Sequence, residues 1–193
     1  MNGIRLSNTN DVSQMKERHT MGFAQGIEHV GMTVPRIEDG EAFFVDAFDA
    51  DVLYRVLPKS RGPQTGMEVG AINGLPEDRS QVAISMLRIG TGANLELFEV
   101  DRTDGPPPDI ATLGPTHFSI HVDDLAAAGR AVVAAGGTML AGPQDCFDEE
   151  SGPGNRLWFC RTPWGSLIEL LHLPSPMTYR PGARRARFIP AGE

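Results

Sequence analysis

The chain has 193 residues, of which 40% are hydrophobic and 22% charged, and its formal net charge is -8 at pH 7. This composition is typical of one globular domain, or of two small modules that share a core. The negative charge disfavours nucleic acid as a partner, and no window approaches the roughly 18 apolar residues of a membrane span. Residues 1–20 have no hydrophobic segment typical of a secretion signal, so we expect a cytoplasmic protein in which Cys146 and Cys160 stay reduced.

The first half of the chain predicts strands arranged around one helix. Alternating apolar residues indicate strands, whereas Phe43, Phe44 and Phe48 at helical spacing indicate an amphipathic helix. The Gly- and Pro-rich stretch at 58–78 indicates a long loop, and a loop of this length is usually functional or mobile. In chain order, we predict an arm (1–24, with a helical candidate at 12–18), a strand (27–34), a helix (38–48), a strand (51–57), the long loop with room for one helical turn (58–78) and two hairpin strands (81–88 and 94–100).

A proline-rich linker, residues 101–115, precedes a second cycle with the same order. Asp123 or Asp124 caps the predicted helix, and Gly136 ends it. The tail carries a short basic cluster, which we interpret as a solvated or interface segment. The predicted elements are a strand (115–122), a helix (125–135), a short strand (138–141), a polar loop (142–154) and a closing strand pair (155–161 and 166–172).

The shared order of elements indicates an internal repeat. The stretch around His29 aligns with the stretch around His117 at a constant offset, and the apolar run around Glu96 aligns with the run around Glu169. Each copy therefore carries a histidine near the start of its first strand and a glutamate in its last.

Glu169 lies in the middle of an apolar strand, where an ionised carboxylate needs a cation, a metal or several donors beside it. Because side chains alternate along a strand, the two histidines and two glutamates can line one concavity if the copies are related by a pseudo-twofold axis. Mixed nitrogen and oxygen ligands suit iron, manganese, cobalt, nickel or zinc, and not calcium. We therefore predict one divalent metal ion bound by His29, Glu96, His117 and Glu169. The same alternation places Glu28, Glu99 and His172 away from this face.

Three segments carry a resemblance to a known family: residues 29–34 (HVGMTV), 117–124 (HFSIHVDD) and 161–169 (RTPWGSLIE). They resemble the vicinal oxygen chelate superfamily, which includes glyoxalase I, methylmalonyl-CoA epimerase, extradiol dioxygenases, fosfomycin-resistance enzymes and bleomycin-binding proteins. The resemblance implies an α+β fold in which two βαβββ modules form an open, cup-shaped mixed sheet around a metal, often in a homodimer. It also assigns the four predicted ligands to the family's metal positions. The implied divisions are an arm (1–24), two modules (25–105 and 114–174) and a tail (175–193).

The first functional hypothesis is a metal-dependent lyase or isomerase. A metal would chelate vicinal oxygens of a small substrate and stabilise an enediolate or enolate. By resemblance to glyoxalase I and the epimerase, Glu169 or Glu96 would move the proton. The expected substrate-binding residues are His121, Phe98, Phe159 and Trp164.

Two alternatives remain open from the sequence. An extradiol dioxygenase would use His29, His117 and Glu169 on Fe(II). However, those enzymes usually carry an acid–base tyrosine where this chain has Phe159, and their additional histidine has no counterpart between residues 101 and 115. A non-catalytic protein that binds a small molecule or drug is the other alternative, and it would hold no stoichiometric metal.

Overall fold

A computed structural model describes residues 24–191 of the chain. The helical candidate at 12–18 lies outside these residues. The described residues form two mixed β-sheets backed by helices, so the predicted α+β class is confirmed. Within 24–191, no helix is long and apolar enough to cross a membrane.

The elements of the first module are β1 (His29–Val34), α1 (Ile37–Phe48), β2 (Asp51–Leu57), β3 (Gln64–Thr65), α2 (Gly66–Asn73), β4 (Ser80–Arg88) and β5 (Asn94–Val100). Their sheet has the strand order β1-β5-β4-β2, with β3 beside β4. Strands β1 and β5 are parallel and the other pairs are antiparallel. A short 3₁₀ helix, Lys59–Arg61, follows β2.

The elements of the second module are β6 (His117–His121), α3 (Leu125–Ala134), β7 (Thr138–Met139), β8 (Gln144–Asp145), β9 (Arg156–Arg161) and β10 (Leu167–His172). Their sheet repeats the plan of the first with the order β6-β10-β9-β7, and β8 lies beside β9. Strands β6 and β10 are parallel, as β1 and β5 are. A 3₁₀ helix, Asp148–Glu150, interrupts the loop before β9.

The long loop predicted at 58–78 contains more structure than the single turn expected. Helix α2 is eight residues long, and the Glu68 carboxylate accepts hydrogen bonds from the backbone N–H of Thr65 at 2.7 Å and from its hydroxyl at 2.9 Å. At the first position, Gly66, an added Cβ would lie 1.9 Å from the carbonyl oxygen of Pro76. The close approach of the returning chain therefore requires glycine there, which sequence periodicity does not reveal.

Both sheets direct their helix-covered faces into one shared core. Phe44 on α1 lies 6.4 Å from Phe118 on β6 and 6.2 Å from Trp164, measured between ring centroids. Leu97 and Leu170 are fully buried in this core, one from each sheet. Because side chains alternate, their neighbours Glu96 and Glu169 project from the opposite faces, which we call the first and second open faces.

Candidate metal centre

On the first open face, His29 and Glu96 form a pair. The Nε2 atom of His29 lies 3.5 Å from a carboxylate oxygen of Glu96. The parallel register of β1 and β5 places Glu96 opposite Gly31, two residues beyond His29. The two side chains therefore approach diagonally on one face, as the repeat predicted for each copy.

Glu28 forms a hydrogen bond with Nδ1, the other ring nitrogen of His29. Its carboxylate lies 2.6 Å from His29 Nδ1, and its second oxygen accepts a hydrogen bond of 2.6 Å from the Asn94 amide. The bond to Glu28 raises the pKa of His29, and the bonds from His29 and Asn94 lower the pKa of Glu28. The strand-alternation argument had placed Glu28 away from the site and missed this contact. Strand β1 begins at His29, so alternation does not apply to the residue before it.

The second open face repeats the arrangement. His117 Nε2 lies 3.9 Å from a carboxylate oxygen of Glu169, and Nδ1 lies 3.1 Å from the hydroxyl of Thr116. The Ser119 hydroxyl donates to the same Glu169 carboxylate. In both copies the residue before the histidine therefore engages Nδ1 and leaves Nε2 directed at a glutamate. A histidine that binds a metal through one ring nitrogen usually forms a hydrogen bond through the other. The imidazole nitrogens and carboxylate oxygens of the two pairs therefore fit a divalent ion.

The predicted substrate-binding residues lie in different surroundings. Phe159 is the cross-strand neighbour of Glu169, and its ring meets His117 edge-on with centroids 5.3 Å apart. Phe98 shares the open face of Glu96, and an added Cβ on Gly31 would lie 3.5 Å from its ring. These two rings form apolar surface beside the two His–Glu pairs.

His121 and Trp164 each carry a buried nitrogen without a hydrogen-bond partner among the described residues. Burial lowers the pKa of His121, which lies on β6 two same-face positions beyond His117. Trp164 packs edge-on against Phe43 in the shared core, with centroids 5.5 Å apart. The Trp164 ring therefore contacts α1 and does not project from the second open face.

The expectation that one chain gathers all four ligands is not met. Within residues 24–191, no cluster of three or more His, Cys, Asp or Glu side chains could hold a metal ion. One chain instead presents two separate pairs, His29 with Glu96 and His117 with Glu169. The physical reason is that the modules pack through their helix-covered faces, so each open face points away from the shared core.

A cavity of about 770 Å³ is lined by residues of β1 and β6 and, on another side, by the proline-rich linker. His117 and Trp164 reach its wall, whereas neither Glu96 nor Glu169 does. This cavity is therefore separate from the carboxylates on the open faces.

Residues 28–151 match the family model of the Glyoxalase/Bleomycin resistance protein/Dioxygenase superfamily. The chain belongs to this superfamily. The match spans most of both modules, from the residue before β1 to the loop before β9, and confirms the resemblance seen in the sequence.

One curated relative is similar over most of its length. A 2-epi-5-epi-valiolone epimerase from an Actinomyces species is 28% identical over 171 residues, which cover 88% of this chain and 91% of the relative. A match of this length includes most of both modules. With the superfamily assignment, this similarity supports a glyoxalase-like function of the isomerase type.

Solved structures share the fold at low sequence identity. A glyoxalase family protein from Bacillus cereus superposes with a TM-score of 0.61 at 17% identity and covers 79% of this chain and 97% of that one. Glyoxalase I from Zea mays gives a TM-score of 0.51 at 20% identity and covers 75% of this chain and 43% of that one. At these identities the similarity shows the fold alone.

Proposed function

We propose that this protein is a metal-dependent isomerase that inverts a carbon next to a carbonyl group, which makes it an epimerase of a small substrate. The observation that carries the proposal is the repeated His–Glu pair, in which each imidazole directs Nε2 at a carboxylate while its preceding residue engages Nδ1. The similarity to 2-epi-5-epi-valiolone epimerase supports this reaction class and supplies a ketone to test.

The divalent ion would be held by the two repeated pairs. Two neutral nitrogens and two anionic oxygens balance its charge, and zinc, nickel, cobalt, manganese and iron all accept such ligands. The ion would act as a Lewis acid on vicinal oxygens of the substrate, namely the carbonyl and a neighbouring hydroxyl. The proposed ligands are His29, Glu96, His117 and Glu169.

The two carboxylates would move the proton. One of Glu96 and Glu169 accepts the proton from the carbon beside the carbonyl, and the other returns a proton to the opposite face. One C–H bond is broken and one is formed, so the configuration inverts and no co-substrate is consumed. The Ser119 hydroxyl holds one oxygen of Glu169, which orients this carboxylate. Phe98 and Phe159 supply apolar walls on either half of the site.

A homodimer would bring the pairs together. If the first open face of one protomer meets the second open face of its partner, a twofold axis creates two equivalent four-ligand sites. Exposed apolar residues on the edge strand β2 suit an interface, since an unpaired apolar edge is otherwise a liability. Val52, Leu53, Tyr54 and Val56 are 40–56% exposed.

Replacing Glu169 tests the proposed function directly. In D₂O, the wild type should wash deuterium into 2-epi-5-epi-valiolone beside its carbonyl group, followed by NMR. Glu169→Gln should slow this exchange by at least about a hundredfold, because a carboxamide cannot accept the proton. Circular dichroism should be unchanged. Glu77→Gln, an exposed carboxylate outside both pairs, is the control. Full activity and normal metal content in Glu169→Gln would contradict the roles of Glu169 as metal ligand and proton acceptor.

The remaining hypotheses have their own discriminating measurements. Oxygen uptake with catechols would indicate an extradiol dioxygenase. The structure adds no acid–base hydroxyl for that reaction at residue 159, because the ring packed against His117 there is phenylalanine. Elemental analysis after chelator-free purification separates a metalloenzyme from a non-catalytic binding protein. Elimination products without epimer would indicate a lyase. A cytoplasmic location stays a prediction.

A further inference from the structure

The C-terminal segment, residues 173–191, crosses the end of the second open face. Met177 and Ile189 pack against a small apolar cluster that contains Leu171, Leu173 and Cys146. Leu171 lies on the same face of β10 as Glu169, one same-face position further along the strand. The segment therefore covers the surface immediately beyond the second His–Glu pair.

Side-chain and backbone hydrogen bonds fix the start of this segment. Asn155 is only 1% exposed, and its amide donates to the carbonyl oxygens of Glu150 at 2.9 Å and Ser175 at 3.1 Å. Its side-chain oxygen accepts the Ser175 N–H at 2.8 Å. Further along, Arg187 forms an ion pair with Glu150, and its backbone N–H donates to the Tyr179 hydroxyl at 3.1 Å.

The far end of the segment reaches the first module. The Thr91 hydroxyl donates to the carbonyl oxygen of Ala191 at 2.7 Å, and Pro190 lies against Gly92 in the turn between β4 and β5. The C-terminal segment is thus held at both ends and forms a wall between them.

His121 lies on β6 beside the cluster that this segment covers, and one of its nitrogens is unsatisfied. It is paired with Leu171 in the parallel register, and its Nε2 is buried without a hydrogen-bond partner among the described residues. Burial lowers the pKa of His121, Asp123 opposes this effect, and His172 and Arg187 add to it. Leaving a buried polar atom unpaired costs free energy, so a neutral imidazole in this position calls for a polar partner.

The spacing between His121 and Glu169 matches a small ring. Glu169 is paired with Ser119, and His121 is the next same-face residue of β6, about 7 Å along the strand. A substituted six-membered ring held at the Glu169 end would span this distance. A hydroxyl on its far side can donate to or accept from Nε2, whichever tautomer is present.

We propose that the C-terminal segment is the specificity wall of the site. In this arrangement, Met177 and Ile189 limit the length of the substrate, and His121 Nε2 hydrogen-bonds the hydroxyl farthest from the carbonyl group. The proposal rests on the proposed function for the identity of the substrate, but the wall itself can be tested without turnover.

The first test opens the wall and uses Cys146 as a reporter. Ile189→Ala should raise the rate of Cys146 alkylation by iodoacetamide on the order of tenfold, because the thiol lies under the segment. Phe188→Ala is the matched control, since Phe188 is the preceding residue and is 71% exposed. Cys160 is fully buried, and burial raises its pKa to about 12, so it should stay unmodified in every folded variant.

The same variant should relax substrate selection. With mono-O-benzyl ethers of 2-epi-5-epi-valiolone tested as a set, Ile189→Ala should improve kcat/KM for at least one ether relative to the parent ketone by about tenfold. Phe188→Ala should leave this ratio unchanged. If Ile189→Ala and Phe188→Ala show equal rates of Cys146 alkylation and equal ether-to-ketone ratios of kcat/KM, the C-terminal segment is not a specificity wall.

The second test addresses His121. His121→Leu should raise KM for the parent ketone by about tenfold, with a smaller effect on kcat, because one hydrogen bond to bound substrate is lost. His121→Gln, whose amide nitrogen occupies the position of Nε2, should restore most of the affinity. Bound ketone should slow the alkylation of Cys146 in the wild type and in His121→Gln. At the same ketone concentration, alkylation in His121→Leu should not be slowed. Metal content, measured in parallel, should be unchanged.

The outcomes separate this inference from the proposed function. If the wild type epimerises the ketone and His121→Leu changes neither KM nor the protection of Cys146 by the ketone, His121 does not bind the substrate. The proposed epimerase function would be unaffected by that result. No turnover of the ketone by the wild type, with faster Cys146 alkylation in Ile189→Ala, would overturn the epimerase and support the wall.

Discussion

The residue before each histidine governs which imidazole nitrogen faces the glutamate. Glu28 occupies Nδ1 of His29 and Thr116 occupies Nδ1 of His117, so both rings direct Nε2 onto an open face. Glu28 and Thr116 differ chemically. A carboxylate bonded to Nδ1 raises the basicity of the imidazole, and so strengthens its binding to a metal ion through Nε2, more than a hydroxyl does. The first pair should therefore contribute more to metal affinity through its supporting residue than the second.

Removing Glu28 should weaken metal binding without touching a ligand. We expect Glu28→Ala to lower the affinity for zinc by on the order of tenfold, because the His29 ring loses the bond that orients it. Competition with a chromogenic chelator measures this change. Thr116→Val should have a smaller effect, and Glu77→Ala should have none. Equal affinities in Glu28→Ala and Glu77→Ala would show that Glu28 does not support the ligand.

At this scale the sequence predicts residues that repeat and misses residues that only one copy has. Glu169 was recognisable because a carboxylate in an apolar strand needs a partner, and His29 and His117 because they occupy equivalent places in the repeat. Glu28 has threonine as its counterpart and precedes the strand, so neither repeat nor alternation identifies it. The packing of Trp164 onto Phe43 depends on how the modules meet, which no local pattern encodes.

Among the secondary-structure elements, helix α3 has the clearest sequence determinant. The Asp124 carboxylate accepts hydrogen bonds from the backbone N–H groups of Ala126 at 2.8 Å and Ala127 at 2.9 Å. The predicted choice between Asp123 and Asp124 is thereby decided. The hydrogen bond from Ala127 has the largest effect and lowers the pKa of Asp124. Burial opposes it, and the hydrogen bond from Ala126 lowers the pKa further.

This cap predicts a pH-dependent stability. Because the pKa of Asp124 is lower in the folded chain than in the unfolded chain, its ionised form stabilises the fold above the unfolded-state value of about 4 and loses that contribution as pH falls through the folded value. In urea unfolding, Asp124→Asn should be less stable than wild type at pH 7, and the difference should shrink at pH 3. Asp123→Asn is the control. A difference that stays constant with pH would contradict the capping charge.

The contrast between α3 and α2 shows what limits prediction of elements. Helix α3 has a cap, an apolar stripe and a terminal glycine, all of which are visible in the sequence. Helix α2 lies in a Gly-rich stretch without an apolar face, and its stability depends on the Thr65–Glu68 bonds and on the returning chain at Pro76. Eight of the ten strands in residues 24–191 were predicted to within about two residues, as expected for half-buried sheets. The two-residue strands β3 and β8 were missed, because they lie in segments predicted as loops and are too short to show alternation.

On the scale of the whole molecule, the shared core decides how the two modules are oriented. Phe44 and Trp164 join α1 to the second module, and the same cluster contains buried leucines of both sheets. The sequence predicted both modules, because each has its own periodicity. It did not predict that the open faces would present two separate His–Glu pairs, because this depends on which surfaces of the modules bury each other.

A complementation experiment distinguishes a site shared between protomers from a site within one chain. His29→Ala damages the first pair and His117→Ala the second, so each homodimer should be inactive. In a heterodimer of the two variants, isolated with two affinity tags, one site receives both damaged pairs and the other both intact pairs. Activity should therefore return to about half of the wild-type value per dimer, since twofold symmetry creates two sites. A heterodimer of His29→Ala with Glu96→Gln should stay inactive, because both changes affect the first pair. Recovery in neither heterodimer, or a monomeric mass in solution, would contradict the shared site.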